Sequence, residues 1–520
     1  MMKRVAFIIA LLLLFTSCNS RVRFTNNLTG ELAVEKGETV WLPIQEDAPV
    51  AKLTIIEDGT VSGAPFDIKA SSSSVDYYIP FTARVNSVLK VYGVSFQSKF
   101  YRKIKGLGVV RKNTKVHFHP HYGWINDPNG LFYKDGVWHM YYQYNPFGAK
   151  WGNMSWGHAT SRDLFHWKEQ DVALTPDSLG MIFSGSAICV DDNVVAVYTS
   201  AGRKQSQSLA FSDDSGMTFV KSDSNPVLES ERPDFRDPKV FRYGEGWRLV
   251  LAAGNAVEIY SSTDLENWSF QSRFGENYGN HGGVWECPDL FELPYGNGTK
   301  WVLLVSNTRN ASHGSAVQYF IGDFDGSVFT PCDNKERWLD YGRDFYAAAS
   351  WNNAPDGRRV AVAWANNWQY ANDIPSTASR GQMSAPRELT LIDYGGDIVL
   401  RNAPVSEVIS RLPSKCSGRP FYWKGCVEEG DELILKNNSN EALKISVSSG
   451  FAAVNRRFSG AVGFHDTYPS IDIAPISQSK EHFIELVVDR NLVEIFIDGG
   501  AVSFTESVFP SKQYSSIDIW

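Results

Sequence analysis

Basic charge is in short supply. Lys and Arg number 50 against 58 Asp and Glu, a formal net charge of −8 at pH 7. No basic stripe gathers the cations, which excludes nucleic acid as a partner. Cysteine is also scarce, six in 520 residues. None of the thiols beyond Cys18 has zinc-ligand spacing with histidine, so neither a metal site nor a cofactor is expected. Cys416 and Cys426 bracket a short Gly/Pro loop and admit either a disulfide in an oxidising compartment or two reduced thiols. The apolar stretch Val5–Phe15 is too short for a comfortable membrane span.

What the chain has in abundance is aromatic surface: 16 Trp, 22 Tyr and 31 Phe. Flat apolar rings suit the C–H faces of sugars, and they equally suit ordinary β-rich cores. The length implies two or three domains. Residues 1–18 read as a targeting segment, with Lys3-Arg4 ahead of the apolar stretch and Thr16-Ser17-Cys18 after it. These last residues resemble a lipobox, although Phe15 departs from its usual Leu or Val. The expectation is an exported bacterial lipoprotein, cleaved before Cys18, lipidated on it, and displayed at the cell surface or in the periplasm. Membrane contact would run only through that anchor.

Residues 19–115 show short alternating bursts, such as Thr39-Val40-Trp41-Leu42 and Val88-Leu89-Lys90-Val91-Tyr92. Period-two alternation of this kind predicts a small N-terminal β-sandwich-like domain, followed by a basic, polar linker. The domain holds no clustered acids or histidines, and a spacer is its simplest reading.

The informative stretch is His121-Tyr122-Gly123-Trp124-Ile125-Asn126-Asp127-Pro128-Asn129-Gly130. Pro128 pushes Asp127 into an extended conformation, and Asn129-Gly130 suits a tight turn. Two later stretches also place an acid one or two residues before a proline at the start of an apolar strand: Phe235-Arg236-Asp237-Pro238 and Trp285-Glu286-Cys287-Pro288-Asp289. They sit in a degenerate repeat. Leu131–Tyr142, Gly157–Thr160 and Ser161–Trp167 correspond to Val240–Leu251, Ile259–Ser261 and Ser262–Trp268. Weaker copies begin near Gly185, Leu290 and Ala347. Five units of roughly fifty residues, each with three or four short strands, predict a five-bladed β-propeller over 116–413. In such a fold Asp127, Asp237 and Glu286 converge at one mouth of the channel. Residues 414–520, with long alternating strands such as Phe483–Asp489 and Leu492–Gly499, predict a C-terminal β-sandwich, so the fold class is all-β throughout.

Taken together, Trp124–Gly130, Phe183-Ser184-Gly185-Ser186, Phe235–Pro238, Glu286–Asp289, Trp156–Ser161 and Ala385-Pro386-Arg387-Glu388-Leu389 resemble glycoside hydrolase family 32. These are the β-fructosidases: invertases, inulinases and levanases. The resemblance covers about His117 to Trp520 and leaves the N-terminal domain outside. It implies a retaining enzyme with Asp127 as nucleophile, Glu286 as acid/base and Asp237 as transition-state stabiliser. It further implies sugar contacts from Asn126, Gln143, Trp151, Phe183, Ser184, Arg236 and Trp368, with Cys287 as a wall residue. The implied substrate is a fructan or fructo-oligosaccharide, degraded from its end, with sucrose as a further possibility. A sucrose-preferring invertase, an endo-levanase, a transfructosylase and a non-catalytic fructan-binding lipoprotein are the competing readings. Oligomeric state is not legible in the sequence.

Overall fold

The computed structural model describes residues 22–25, 29–71, 74–93, 102–104, 116–310, 312–376, 378–416 and 420–520. The targeting segment with Cys18 and most of the linker lie outside the described residues. Among the described residues the architecture is all-β, and the one α-helix is the single turn Ser406–Ile409.

The N-terminal region forms two sheets. One runs in the order Val22–Thr25, Thr29–Val34, Ser87–Tyr92, Ala51–Glu57 and Thr60–Val61, with Phe66–Ile68 also paired to Ala51–Glu57. The other orders Tyr77–Thr82, Thr39–Ile44 and Arg102–Ile104. Alternation places Leu42, Ile44, Leu53, Ile79, Leu89 and Val91 in one shared core, as period-two patterning requires.

Five consecutive antiparallel sheets follow, and each begins on an inner strand: Gly123–Lys134, Met181–Val190, Phe235–Tyr243, Trp285–Tyr295 and Tyr346–Ser350. Each inner strand contacts the next in order, and the fifth contacts the first. Two parallel links join the ends of this series. Gly123 and Trp124 pair with Ser379 and Arg380, and Phe132 bridges to Asn352. The inner strands are therefore arranged in a closed circle.

All five inner strands are interrupted at the same place. Ile125 faces Tyr144 and Pro128 faces Tyr142, so Asn126 and Asp127 together oppose the single residue Gln143. The same two-against-one irregularity falls at Phe183-Ser184, Asp237-Pro238, Cys287-Pro288 and Ala347-Ala348. These are β-bulges, which leave residues unpaired and re-aim their side chains. Proline is tolerated there because it has no ladder hydrogen bond to lose. At three bulges the first residue is a non-glycine in the left-handed region: Asp237 (φ 67°), Cys287 (φ 49°) and Ala347 (φ 53°).

The bulges correct two expectations. Asn129-Gly130 is not a turn, because the strand runs through it from Gly123 to Lys134. Gly130 instead occupies a second irregularity at φ 52°, where a Cβ would meet the Tyr141 and Trp156 rings at 2.6 and 2.8 Å. Nor do the three acids share one local frame. Relative to its bulge, Asp127 is the second residue, Asp237 the first, and Glu286 the residue before. Counting from proline conceals that stagger. The first hairpin turns at Asp135-Gly136, with both residues at positive φ (51° and 77°).

The C-terminal region packs two antiparallel sheets around a core that includes Leu433, Ile445, Val454, Leu486, Ile495 and Phe504. Each such side chain contributes about 1.5–3 kcal/mol by leaving water. Cys416 and Cys426 carry thiols, with no bridge between them. A polar seam ties this region to the circle of sheets. Arg387, 1 % exposed, donates to Glu494 Oε1 (2.7 Å), Asp340 Oδ2 (2.8 Å) and Asn402 Oδ1 (2.7 Å). Its guanidinium lies over Phe345 and Phe496. His117 meets the other oxygen of Glu494 at 3.0 Å.

Candidate active site

The bulges gather their side chains at one place. Asp127 and Asp237 are buried, and the Glu286 side chain retains 17 % of its exposure. Ser184 Oγ donates to Asp127 Oδ2 at 2.6 Å, and Asn126 Nδ2 to Oδ1 at 3.1 Å. Asn126 is itself oriented by the Trp124 indole N–H, 2.8 Å from its Oδ1. Cys287 joins the two aspartates: its Sγ lies 3.6 Å from Asp127 Oδ2 and from Asp237 Oδ2, and its N–H donates to Asp237 at 3.0 Å. The Asp237 N–H is taken by Thr199 Oγ1 at 3.0 Å. Thr199 opposes the Phe183-Ser184 bulge, so one irregularity supports the next.

Glu286 is held from two sides. Arg236 directs Nε (3.0 Å) and Nη2 (2.8 Å) at Oε1, and Tyr346 Oη donates to Oε2. The remaining guanidinium nitrogen of Arg236 reaches Asp234 (2.6 Å) and Gln205 (3.1 Å). Arg236, Glu286 and Tyr346 each stand immediately before a bulge on three successive inner strands.

The electrostatics follow from burial and crowding. Burial, then the charge on Glu286, push Asp127 above the ordinary carboxylate range, against the hydrogen bonds from Ser184 and Asn126. Burial also lifts Asp237, to about 7, with Glu286 and Asp127 adding to the rise and Arg236 opposing it. Burial and the three carboxylates hold the Cys287 thiol well above its usual value. Cys287 is therefore an S–H donor between acids and not a thiolate nucleophile.

Every residue expected to touch sugar is in or beside this cluster. Gln143 is buried opposite the first bulge. Trp368 stacks on Trp124 with ring centroids 6.1 Å apart. Phe183 meets Trp151 edge-on at 6.2 Å, and Trp151 is 42 % exposed at the rim. Tyr346, Thr199 and Gln205 were not anticipated. Tyr346 lies in Phe345-Tyr346-Ala347-Ala348-Ala349 with no acid or proline to mark it. Arg387, quoted for the family resemblance, is in the seam and does not face the acids.

Paired carboxylates, a guanidinium and hydroxyl donors gathered in one largely buried cluster can supply a nucleophile, a proton and charge stabilisation at an acetal carbon. A site of this chemistry on an all-β scaffold is that of a glycoside hydrolase. The chain belongs to glycosyl hydrolases family 32: residues 117–402 match the family's N-terminal domain and 432–520 its C-terminal domain.

The levanase of Bacillus subtilis is 38 % identical over 464 residues, covering 78 % of this chain and 68 % of that protein. The extracellular exo-inulinase of Aspergillus awamori is 34 % identical over 513 residues, covering 82 % and 93 %. The crystal structure of the latter superposes with a TM-score of 0.70 at 33 % identity, covering 78 % of this chain and 94 % of that one. A fructofuranosidase from Schwanniomyces occidentalis complexed with fructose gives 0.68 at 29 % identity, covering 80 % and 96 %.

Proposed function

We propose that the protein is a retaining exo-β-fructosidase that releases terminal fructose from levan or inulin, and that its five sheets form a five-bladed propeller. The observation that carries the reading is the stagger of Asp127, Asp237 and Glu286 around neighbouring bulges. It aims three acids from distant parts of the chain at one reacting carbon. Asp127 attacks the anomeric carbon of the terminal fructosyl unit as the bond to the leaving oxygen breaks, and that oxygen takes a proton from Glu286. Glu286 then removes a proton from water, which displaces Asp127 and frees fructose. Asp237 accepts hydrogen bonds from the sugar hydroxyls as positive charge develops. Asn126, Ser184 and Arg236 bind and orient the sugar, and Trp151, Phe183 and Trp368 supply apolar faces for it.

The Arg236 fork is engaged with Glu286. Sugar hydroxyls that draw the fork away leave Glu286 free to carry the proton the leaving group needs. The Aspergillus awamori exo-inulinase is named as extracellular, which supports export of this chain, and the Cys18 lipid anchor is part of the same proposal.

The test is the configuration and size of the first product. Two displacements at the same carbon give β-fructofuranose before mutarotation, and methanol gives methyl β-fructofuranoside. Rapid NMR on levan and inulin should show β-fructose as the early product. An α-configured product would overturn the role of Asp127, and early oligosaccharides would overturn exo action.

A further inference from the structure

The loop Pro146–Met154, between strands Val137–Asn145 and Ser155–Ser161, carries Trp151 to the rim of the site. Asn145 and Arg380 of the catalytic region bond its backbone at Phe147, Lys150 and Ala149, and three of its residues are also built into the N-terminal domain. Phe147 and Ala149 are buried in that domain's core with Phe66, Ile68, Tyr77 and Ile79. The Phe147 ring lies 4.8 Å from Phe66, centroid to centroid. Tyr77 Oη accepts the Ala149 N–H at 3.0 Å and donates to Glu46. At the far end of the loop the Asn153 side-chain amide imitates a strand. Its Nδ2 donates to the Asp67 carbonyl at 2.8 Å, and its Oδ1 accepts the Asp67 N–H at 2.7 Å. Asn153 holds a left-handed φ of 50° to do this. Trp151 is thus suspended between two points, positions 149 and 153, that are both fastened to a domain outside either family-matched span.

We infer that the N-terminal β-domain is a positioning domain for Trp151. It fixes the indole edge-on against Phe183, and thereby sets how strongly the mouth holds a fructan chain. A mere spacer would not share its core with a loop of the catalytic region. A pre-ordered aromatic contact spares the ligand the ordering that a free loop would impose on binding. Because the ring contacts sugar without taking part in bond making, its loss acts on ground state and transition state alike. The effect therefore falls on KM with kcat little changed. The inference rests on Trp151 as a sugar contact in the proposed function.

Tyr77→Phe in the full chain tests it, since this change deletes one hydroxyl far from the acids. Amide exchange at Phe147–Trp151 should accelerate about tenfold, and KM for levan or inulin should rise about three- to tenfold with kcat within twofold. In a Trp151→Ala background the same change should leave KM unaltered, because the two act through one contact. Exchange and KM unchanged in the Tyr77→Phe protein, or an equal KM effect with and without Trp151, would overturn the inference. A parent protein inert toward every fructoside would instead defeat the functional reading, and the exchange rates would still show whether the domain holds the loop.

Discussion

Among the clusters of buried charge in the described residues, the seam and the bulge site form a pair: burial acts on them alike, yet their acids move in opposite directions. In the seam, Asp489 and Glu494 fall below the ordinary carboxylate range although burial works to raise them. His117 pairs with both, and Arg387 with Glu494. At the bulges Asp127 and Asp237 rise, because burial and the neighbouring carboxylates push them up and Arg236, which also pairs with Asp234 and Glu286, offsets only part of the rise at Asp237. Burial sets the stakes, and the count and placement of cations decide the outcome. The seam is compensated for cohesion. The site is left short of positive charge, which keeps a proton and an attacking carboxylate within reach of each other.

The sharpest way to break this comparison is to remove the seam's cation. Arg387→Met leaves Glu494 and Asp340 facing each other without it, and should cost about 3–5 kcal/mol of stability, read by urea or thermal unfolding. A loss below about 1 kcal/mol would mean the seam does not depend on the ion pair. His117 sharpens the same side. Burial opposes its charge, but Asp489 and Glu494 raise it from 6.5 to about 9. A raised cation contributes stability that is full below the unfolded value and lost as pH climbs through the folded one. The protein should therefore weaken by roughly 2–3 kcal/mol between pH 6.5 and 9, and His117→Gln should abolish most of that slope.

At the site the pH dependence runs the same way, but there removing the charge stabilises. Asp237 is raised from 3.8 to about 7, so its ionisation weakens the fold as pH climbs through that window. Asp237→Asn should raise Tm by roughly 2–4 °C above pH 7 and leave it unchanged near pH 3.5, while hydrolysis collapses. A Tm that falls at alkaline pH would show that Asp237 is as well compensated as the seam acids.

The sequence displayed the acids and the repeat because both are local patterns: an acid near proline, a hairpin turn, an alternation of period two. Trp124–Gly130 and Phe235–Pro238 could be read in that way. The bulges could not, because register is a relation between strands. Only the pairing of Ile125 with Tyr144 and Pro128 with Tyr142 shows that Asp127 is the second residue of its bulge. Tyr346 was invisible for the same reason, as its importance comes from standing where Arg236 and Glu286 stand on neighbouring strands. The attachment of Ala149 and Asn153 to the N-terminal domain is likewise carried by backbone groups of Ala149 and Asp67, which have no signature in residue type.

The parallel pairing of Gly123-Trp124 with Ser379-Arg380 has a consequence for how the molecule comes into being. The first inner strand is made early in the chain, yet its outer neighbour arrives more than half the catalytic region later. Closure waits for the fifth inner strand and this strand pair, which bring positions 352 and 380 back to the first inner strand. The entropy of closing so long a loop grows only logarithmically with its length, but it is charged before the contact returns anything. Repulsion between Asp237 and Glu286 arises as their adjacent inner strands pack, and Asp127 joins them from the first inner strand. The unfolded chain thus carries three harmless, solvated carboxylates, and its reactive cluster is assembled only as the inner strands pack together.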